Sequence, residues 1–434
     1  MMEIKLAKYN VYKDSGVKWL GKIPESWEAL SNKFIFKLKK IQVGKKSSDY
    51  DLLSLTLNGV IKRDMENPQG KFPAEFDTYQ EVKKGDFIFC LFDVEETPRT
   101  VGLSSFDGMI TGAYTIMQPQ DDFDRIFLYY FYLNLDSTKR MKPLYTGLRN
   151  TISKENFFSF KTFIPPLEEQ TEIAKFLDDK TAKIDHAISI KQKQIDLLKE
   201  RRQILIHKAV TQGINSNVKL KDSGVEWIGE IPEHWEVKRL ASFGKFSKGG
   251  GFSKADLTED GVSAILYGDI YTKYDIEITK GVRFISNETA KKSISIKKGD
   301  ILFTGSGETM EDIGKCVVFS SDEKTVAGGD VIIFEQFGNN NLFLSYVLNT
   351  EGAKYEKARY SKGEIIVHTY GSKLRNIYIP IPPLVEQEKI AEYVDNAMNK
   401  IATAISLKEK EIEKLKEYKA SLINSVVTGK VRVS

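Results

Sequence analysis

Residues Lys13–Glu28 read KDSGVKWLGKIPESWE and residues Lys221–Glu236 read KDSGVEWIGEIPEHWE, 12 of 16 positions identical at an offset of 208. A second pair follows: IPPLEEQTEIAKFLDDKTAKI from Ile164 and IPPLVEQEKIAEYVDNAMNKI from Ile381, at an offset of 217. Two such blocks in the same order make the chain a tandem duplication, so both halves must obey one architectural plan. Each half runs from the Trp-containing signal through a region of mixed strand and loop character to IPP, a long helix and a closing VTQG (Val210–Gly213) or VTG (Val427–Gly429). The offset grows by nine, so the second intervening region is nine residues longer.

The helices carry the strongest periodicity. Ile173, Leu177, Ile184, Ile188, Ile195, Leu198, Leu205 and Ala209 correspond at 217 to Ile390, Val394, Ile401, Ile405, Ile412, Leu415, Leu422 and Val426. The steps are parts or multiples of a heptad, and the residues between are mostly Lys, Glu, Asp and Gln, as in a two-helix coiled coil. Neither stripe can be buried alone, and pairing with each other is the simplest solution. Ile184, Ile188, Ile195, Leu198, Ile401, Ile405, Ile412 and Leu415 are the expected seam. Pro-Pro suits each helix start, and Gly213 and Gly429 suit the stops. Halves related by a local two-fold place the helices antiparallel, with one variable region at each end of a rod. Trp19, Trp27, Trp227 and Trp235 then anchor each variable region to the helix base as packing residues.

Composition narrows the class. With 434 residues and 41% apolar content the chain can fill several cores. No run approaches the roughly 18 apolar residues of a membrane helix, and no signal peptide is recognisable, so a soluble cytoplasmic protein is expected. Cys90 and Cys316 lie in apolar strand-like runs as buried thiols, and the four histidines are scattered, so no metal site is expected. A net charge of +4 permits nucleic-acid binding without requiring it. The first 50 residues hold 11 Lys against 5 acidic residues, and Lys45 and Lys46 among them are candidate phosphate contacts.

The intervening regions, Ala29–Phe163 and Val237–Pro380, share an outline but scarcely a sequence. Each contains a KKGD turn opening an apolar strand (VKKGDFIFCLF, IKKGDILFTGSGE), then an aromatic helix expected in the core (FLYYFYLNL, FLSYVLNT), then a polar loop. Each reads as a compact α+β domain. A constant frame with divergent loops suits a recognition module. Arg149, Asn150, Ser306, Glu308, Thr309, Arg359 and Lys362 are candidate base readers, because Arg, Asn and Glu side chains match guanine, adenine and cytosine edges respectively. No catalytic centre is visible. GKKS at Gly44 lacks the earlier glycine of a phosphate-binding loop, where Lys39 stands, and GSGE at Gly305 has no partnered base or metal cluster nearby.

With these motifs assembled, the chain resembles the specificity subunits of type I restriction-modification systems over essentially its whole length. The resemblance implies an α+β fold in which two target recognition domains are separated by an antiparallel two-helix coiled coil. The expected segments are residues 1–165 and 213–382 for the domains and 166–212 and 383–434 for the helices. It implies an asymmetric bipartite target on double-stranded DNA, with the helices setting the gap. It implies two modification (methyltransferase) subunits and restriction subunits as partners, which would hold S-adenosylmethionine, ATP and Mg, and no cofactor in this chain. The family's docking surface maps onto the IPPLxEQ positions Leu167, Gln170, Leu384 and Gln387, for which helix capping is the alternative role. The chain has neither the Asn/Asp-Pro-Pro-Tyr/Phe loop nor the glycine-rich cofactor turn of a DNA methyltransferase. The rival readings are a two-domain scaffold binding protein or glycan, and the specificity subunit of a type IIB or orphan methylation system.

Overall fold

A computed structural model describes residues 7–66, 75–307, 313–359 and 367–433. Two compact units emerge, Met1–Lys191 with Lys410–Ser434, and Gln192–Glu409. Their boundaries fall inside the long helices, so the expected segments regroup: each helix is shared between the two units instead of forming a separate domain. The physical reason is that each helical half buries its stripe in the core of its own unit.

In the first unit the principal sheet contains β1 (Phe36–Lys39), β2 (Phe87–Phe89), β3 (Val101–Leu103) and β4 (Thr115–Pro119) in the order β1-β4-β2-β3, all antiparallel. The aromatic helix α1 (Arg125–Ser137) covers it and buries Phe127, Leu128, Phe131, Tyr132 and Leu135, as its sequence predicts. The long helix α2 (Leu167–Gln212) follows. In the second unit β5 (Gly244–Lys248), β6 (Ile301–Thr304), β7 (Cys316–Phe319) and β8 (Val331–Gln336) lie in the order β5-β8-β6-β7. This is the same topology, extended by Glu277–Ile278 parallel to β7. A second five-stranded sheet has no counterpart of that size among the described residues of the first unit. Helix α3 (Asn341–Leu348) takes the place of α1, and α4 (Leu384–Val427) that of α2.

The KKGD turns are identical devices. The Asp86 carboxylate accepts from the Lys83 backbone N–H at 2.8 Å and Asp300 accepts from Lys297 at 2.7 Å. The glycine between has φ of 91° at Gly85 and 97° at Gly299, a region that excludes most side chains. Cys90 and Cys316 are buried free thiols, as expected. Among the described residues no helix is long and apolar enough to cross a membrane.

Each long helix is docked to its unit by contacts that recur at matching positions. Trp27 is fully buried, and its indole N–H donates to Glu169 at 3.0 Å; Trp235 does the same to Glu386. Each indole also lies against the glycine that stops the other long helix: a Cβ on Gly429 would sit 3.5 Å from the Trp27 ring, and one on Gly213 would sit 3.2 Å from the Trp235 ring. The Tyr130 hydroxyl of α1 donates to Asp178 at 2.8 Å, and Tyr346 of α3 donates to Asp395 at 3.2 Å. The half-buried Trp19 stacks under the Arg140 guanidinium, and Trp227 lies so close to Gly352 that a Cβ there would be 2.6 Å from its ring.

Within the first unit the two helices run antiparallel, since Asp185 pairs with Lys419 while Lys191 pairs with Glu411. Ile184 and Leu415 share the first core, with Leu422 and Val426. In the second unit Ile206 and Val210 share a core with Ile390, Val394 and Ile401, and Leu198 and Ile405 pack at its edge. Ile195 and Ile412 are buried and Ile188 is half-buried, as the heptad pattern predicts.

Candidate nucleic-acid interface

The two units open a groove at the same topological place. In each, the chain leaves the strand that follows KKGD and meets the segment that enters the last short helix before IPP. The Ile152 N–H donates to the Leu91 carbonyl at 2.8 Å, and the Thr369 N–H donates to the Gly305 carbonyl at 3.0 Å. Counting from the aspartates of the two KKGD turns, Leu91 and Gly305 are both the fifth residue on. The groove lies between this junction and the edge strand, β1 or β5.

The second unit's groove encloses about 1000 Å³ and the first unit's about 340 Å³. Glycine shapes the larger one. A Cβ on Gly305 would stand 2.9 Å from the Asp330 carbonyl oxygen, and one on Gly371 would stand 3.0 Å from Phe246. That close approach requires glycine at position 305 of the GSGE sequence. Lys245 and Lys248 on β5 and Arg375 beyond the junction are exposed along the groove. Lys248 has Asp330 at 3.8 Å, whereas Lys245 and Arg375 have no ion-pair partner among the described residues. The smaller groove is lined by Lys40, Gln80, Tyr114, Thr151 and Lys154, with Phe92 at its wall. The two linings therefore differ in volume, charge and hydrogen-bonding groups while their frames match.

Of the expected base readers, Ser306 lies in the larger groove. It is buried, with its hydroxyl 2.9 Å from Nδ1 of His368. Arg149 and Asn150 sit just before Thr151, yet they are occupied. Asp93 binds the Arg149 guanidinium in bidentate fashion, and the Asn150 amide donates to Glu96 at 3.2 Å. The same ion pair holds the Asp93 carboxyl below the usual carboxylate range. Arg359 ends a short helix, Glu351–Arg359, with Glu356 at 3.7 Å, and it does not line the groove. Lys45 and Lys46 are exposed on the short helical segment Gly44–Asp49 and stand outside the smaller groove's lining. Glu308, Thr309 and Lys362 lie outside the described residues.

The expected docking residues divide. Leu167 and Leu384 are exposed at the helix starts. Gln170 and Gln387 are not surface residues, which corrects their assignment to partner docking. Gln170 accepts from the Asp124 N–H and donates to the Pro165 carbonyl, each at 2.9 Å; Gln387 accepts from the Asn340 N–H and donates to the Pro382 carbonyl, each at 2.8 Å. Both amides are spent joining the start of the long helix to the start of the aromatic helix.

Sequence reasoning missed Lys40, Lys154, Lys245, Lys248, His368 and Arg375. No local motif marks them. The signal available was the match between halves: these residues fall into two separated segments that both halves carry, the edge strand and the run around the last short helix before IPP.

The family model for the type I restriction modification DNA specificity domain matches residues 111–199 and 232–417. Among curated relatives, the chain is 29% identical over 315 residues to the type I restriction enzyme MjaVIII specificity subunit of Methanocaldococcus jannaschii, covering 71% of each chain. It is 24% identical over 326 residues to a putative type I restriction enzyme specificity subunit of Haemophilus influenzae, covering 71% of this chain and 74% of that one. A solved structure described as the structural basis of complex assembly and conformational transition of the type I R-M system shares the fold at a TM-score of 0.68 and 14% identity, over 93% of this chain and 98% of the other. The HsdS subunit of Thermoanaerobacter tengcongensis gives a TM-score of 0.52 at 14% identity, over 94% and 98%.

Proposed function

The chain belongs to the type I restriction modification DNA specificity family, and on that premise we propose that it reads a bipartite sequence on double-stranded DNA, one half per groove. The observation that carries this reading is the recurrence of one groove in two units with unlike linings. A single framework presenting different side chains suits two different half-sites, so the target is asymmetric. Exposed Lys245 and Arg375 neutralise phosphates and position the duplex, while neighbouring polar groups reach base edges. The first unit uses Lys40 and Lys154 in the same way.

The chain supplies recognition and its partners supply chemistry. Two modification subunits bind S-adenosylmethionine and methylate the DNA, and restriction subunits use ATP and Mg. Exposed Leu167 and Leu384 contribute to the docking surface. The long helices set the spacer between half-sites.

Long-read mapping of methylated adenines in cells expressing this chain with its cognate modification subunit tests the proposal. The expected product is one split motif with a fixed gap. Replacing Lys245 and Arg375 together by Ala should weaken binding of the whole motif and flatten its salt dependence without changing the bases read. A motif that changes in sequence, or binding whose salt slope is unaltered, would sink the phosphate role. Failure of the assembled complex to retard any DNA would instead favour a scaffold for protein or glycan.

A further inference from the structure

The larger groove contains a pair whose geometry goes beyond general DNA binding. Ser306 and His368 are directly opposite in the antiparallel pair formed by Ser306–Gly307 and Val367–His368. The serine is buried and the histidine exposed, and both line the groove. The Ser306 carbonyl already accepts from the Tyr271 hydroxyl at 2.9 Å, which pins the serine backbone to the segment beneath the groove floor. Among the described residues the Ser306 hydroxyl has one side-chain partner, Nδ1 of His368 at 2.9 Å.

Satisfaction of that hydroxyl fixes the imidazole. A buried O–H left without an acceptor loses its full desolvation energy, whereas an oxygen with a spare lone pair loses less. We therefore assign the Ser306 O–H as the donor to Nδ1. In the neutral ring the proton then sits on Nε2, making that nitrogen a donor. Lys245, Lys248 and Arg375 are long, exposed cations suited to phosphate.

We propose that His368 determines specificity at one base of the second half-site, donating from Nε2 to a purine N7 or to a keto oxygen, with Ser306 as the positioning residue behind it. The inference rests on the DNA-reading role given above. In the major groove this donor matches guanine N7 or O6, adenine N7 or thymine O4, and it selects against the cytosine amino group at that position. The first unit has Thr151 at the equivalent place, with Phe92 where Ser306 stands, so the corresponding position of the first half-site is read by different chemistry.

The test maps methylation by the assembled complex of this chain with its modification subunits. In His368→Ala one position of the second half-site should become degenerate, with discrimination there falling roughly tenfold or more, while the first half-site and the spacer stay unchanged. His368→Gln, which keeps an amide N–H at a similar reach, should preserve the motif. Ser306→Ala should relax the same position partially, and the double variant should be no more relaxed than His368→Ala, because the serine acts only through the ring. A second half-site read at every position as in the wild type by His368→Ala overturns the proposal. So does loss of methylation in both the Ala and the Gln variants with assembly intact. If the wild-type complex yields no split motif at all, the DNA-reading role fails first and independently of His368.

Discussion

Lys357 is completely buried, with its ammonium donating to the Gly314 and Leu348 carbonyls, each at 2.6 Å. Burial outweighs these bonds and pushes its pKa down to about 8, from 10.5. Below about pH 8 the folded chain carries a charge in its core that the unfolded chain keeps in water. Above it the folded lysine sheds its proton while the unfolded one retains it, so stability rises with pH by about 1.4 kcal/mol per unit. Cys316 works in the opposite sense, since burial raises its pKa from 9.0 to about 11 and removes stability as pH climbs past its ordinary value. The window belonging to Lys357 is therefore pH 8 to 9. Urea unfolding of the wild type should show a rising midpoint across that window, and Lys357→Met should show a flat or falling one. A wild-type midpoint that falls from pH 8 to 9 would contradict the burial argument. The lysine was invisible in the sequence, because nothing in EGAKYEKARY distinguishes it from the solvated lysines around it. Only the packed position reveals it. The Trp27–Glu169 and Trp235–Glu386 bonds were half legible: the repeated tryptophans were conspicuous, but their partners lie about 150 residues away.

Among elements, the long helices were the most legible, because heptad spacing is a local property and needs no knowledge of the partner. The seam positions Ile184, Leu415 and Ile401 are buried as their spacing predicts. Ile184→Asp should destabilise the first unit by roughly 3 to 5 kcal/mol, since it places an unpaired carboxylate against Leu415 and Leu422. The expected readout is a lowered melting temperature and lost assembly with the modification subunit, and any complex that survives should methylate the original motif. An altered motif with normal stability would mean that the helix reads DNA directly. The grooves were the least legible elements. Each is assembled from an edge strand, the exit of the central strand and the entry to a short helix. The divergence that makes these positions useful for reading also erases their sequence signal. Arg149 suits guanine as an arginine, yet its partner Asp93 is in direct contact with it in space and 56 positions away in sequence.

At the level of the whole molecule, duplication was readable from identity alone, whereas the division into units was not. Helix boundaries look like domain boundaries in a sequence, but burial assigns each half of a helix to the core it fills. On the proposed reading the helices also act as a measure. Inserting four residues into each long helix near Lys191 and Lys410 adds about 6 Å and should lengthen the methylated motif's gap by about two base pairs at roughly 3.4 Å each. An unchanged gap, found by the same methylation mapping, would remove the helices from that role. The paired indoles of Trp27 and Trp235 have a separate practical consequence. Each unit encloses one such ring completely, beside a half-buried second tryptophan. Chains retaining a single tryptophan would thus give fluorescence confined to one unit, so that melting or partner-induced ordering of either could be followed by its own light, without an attached dye.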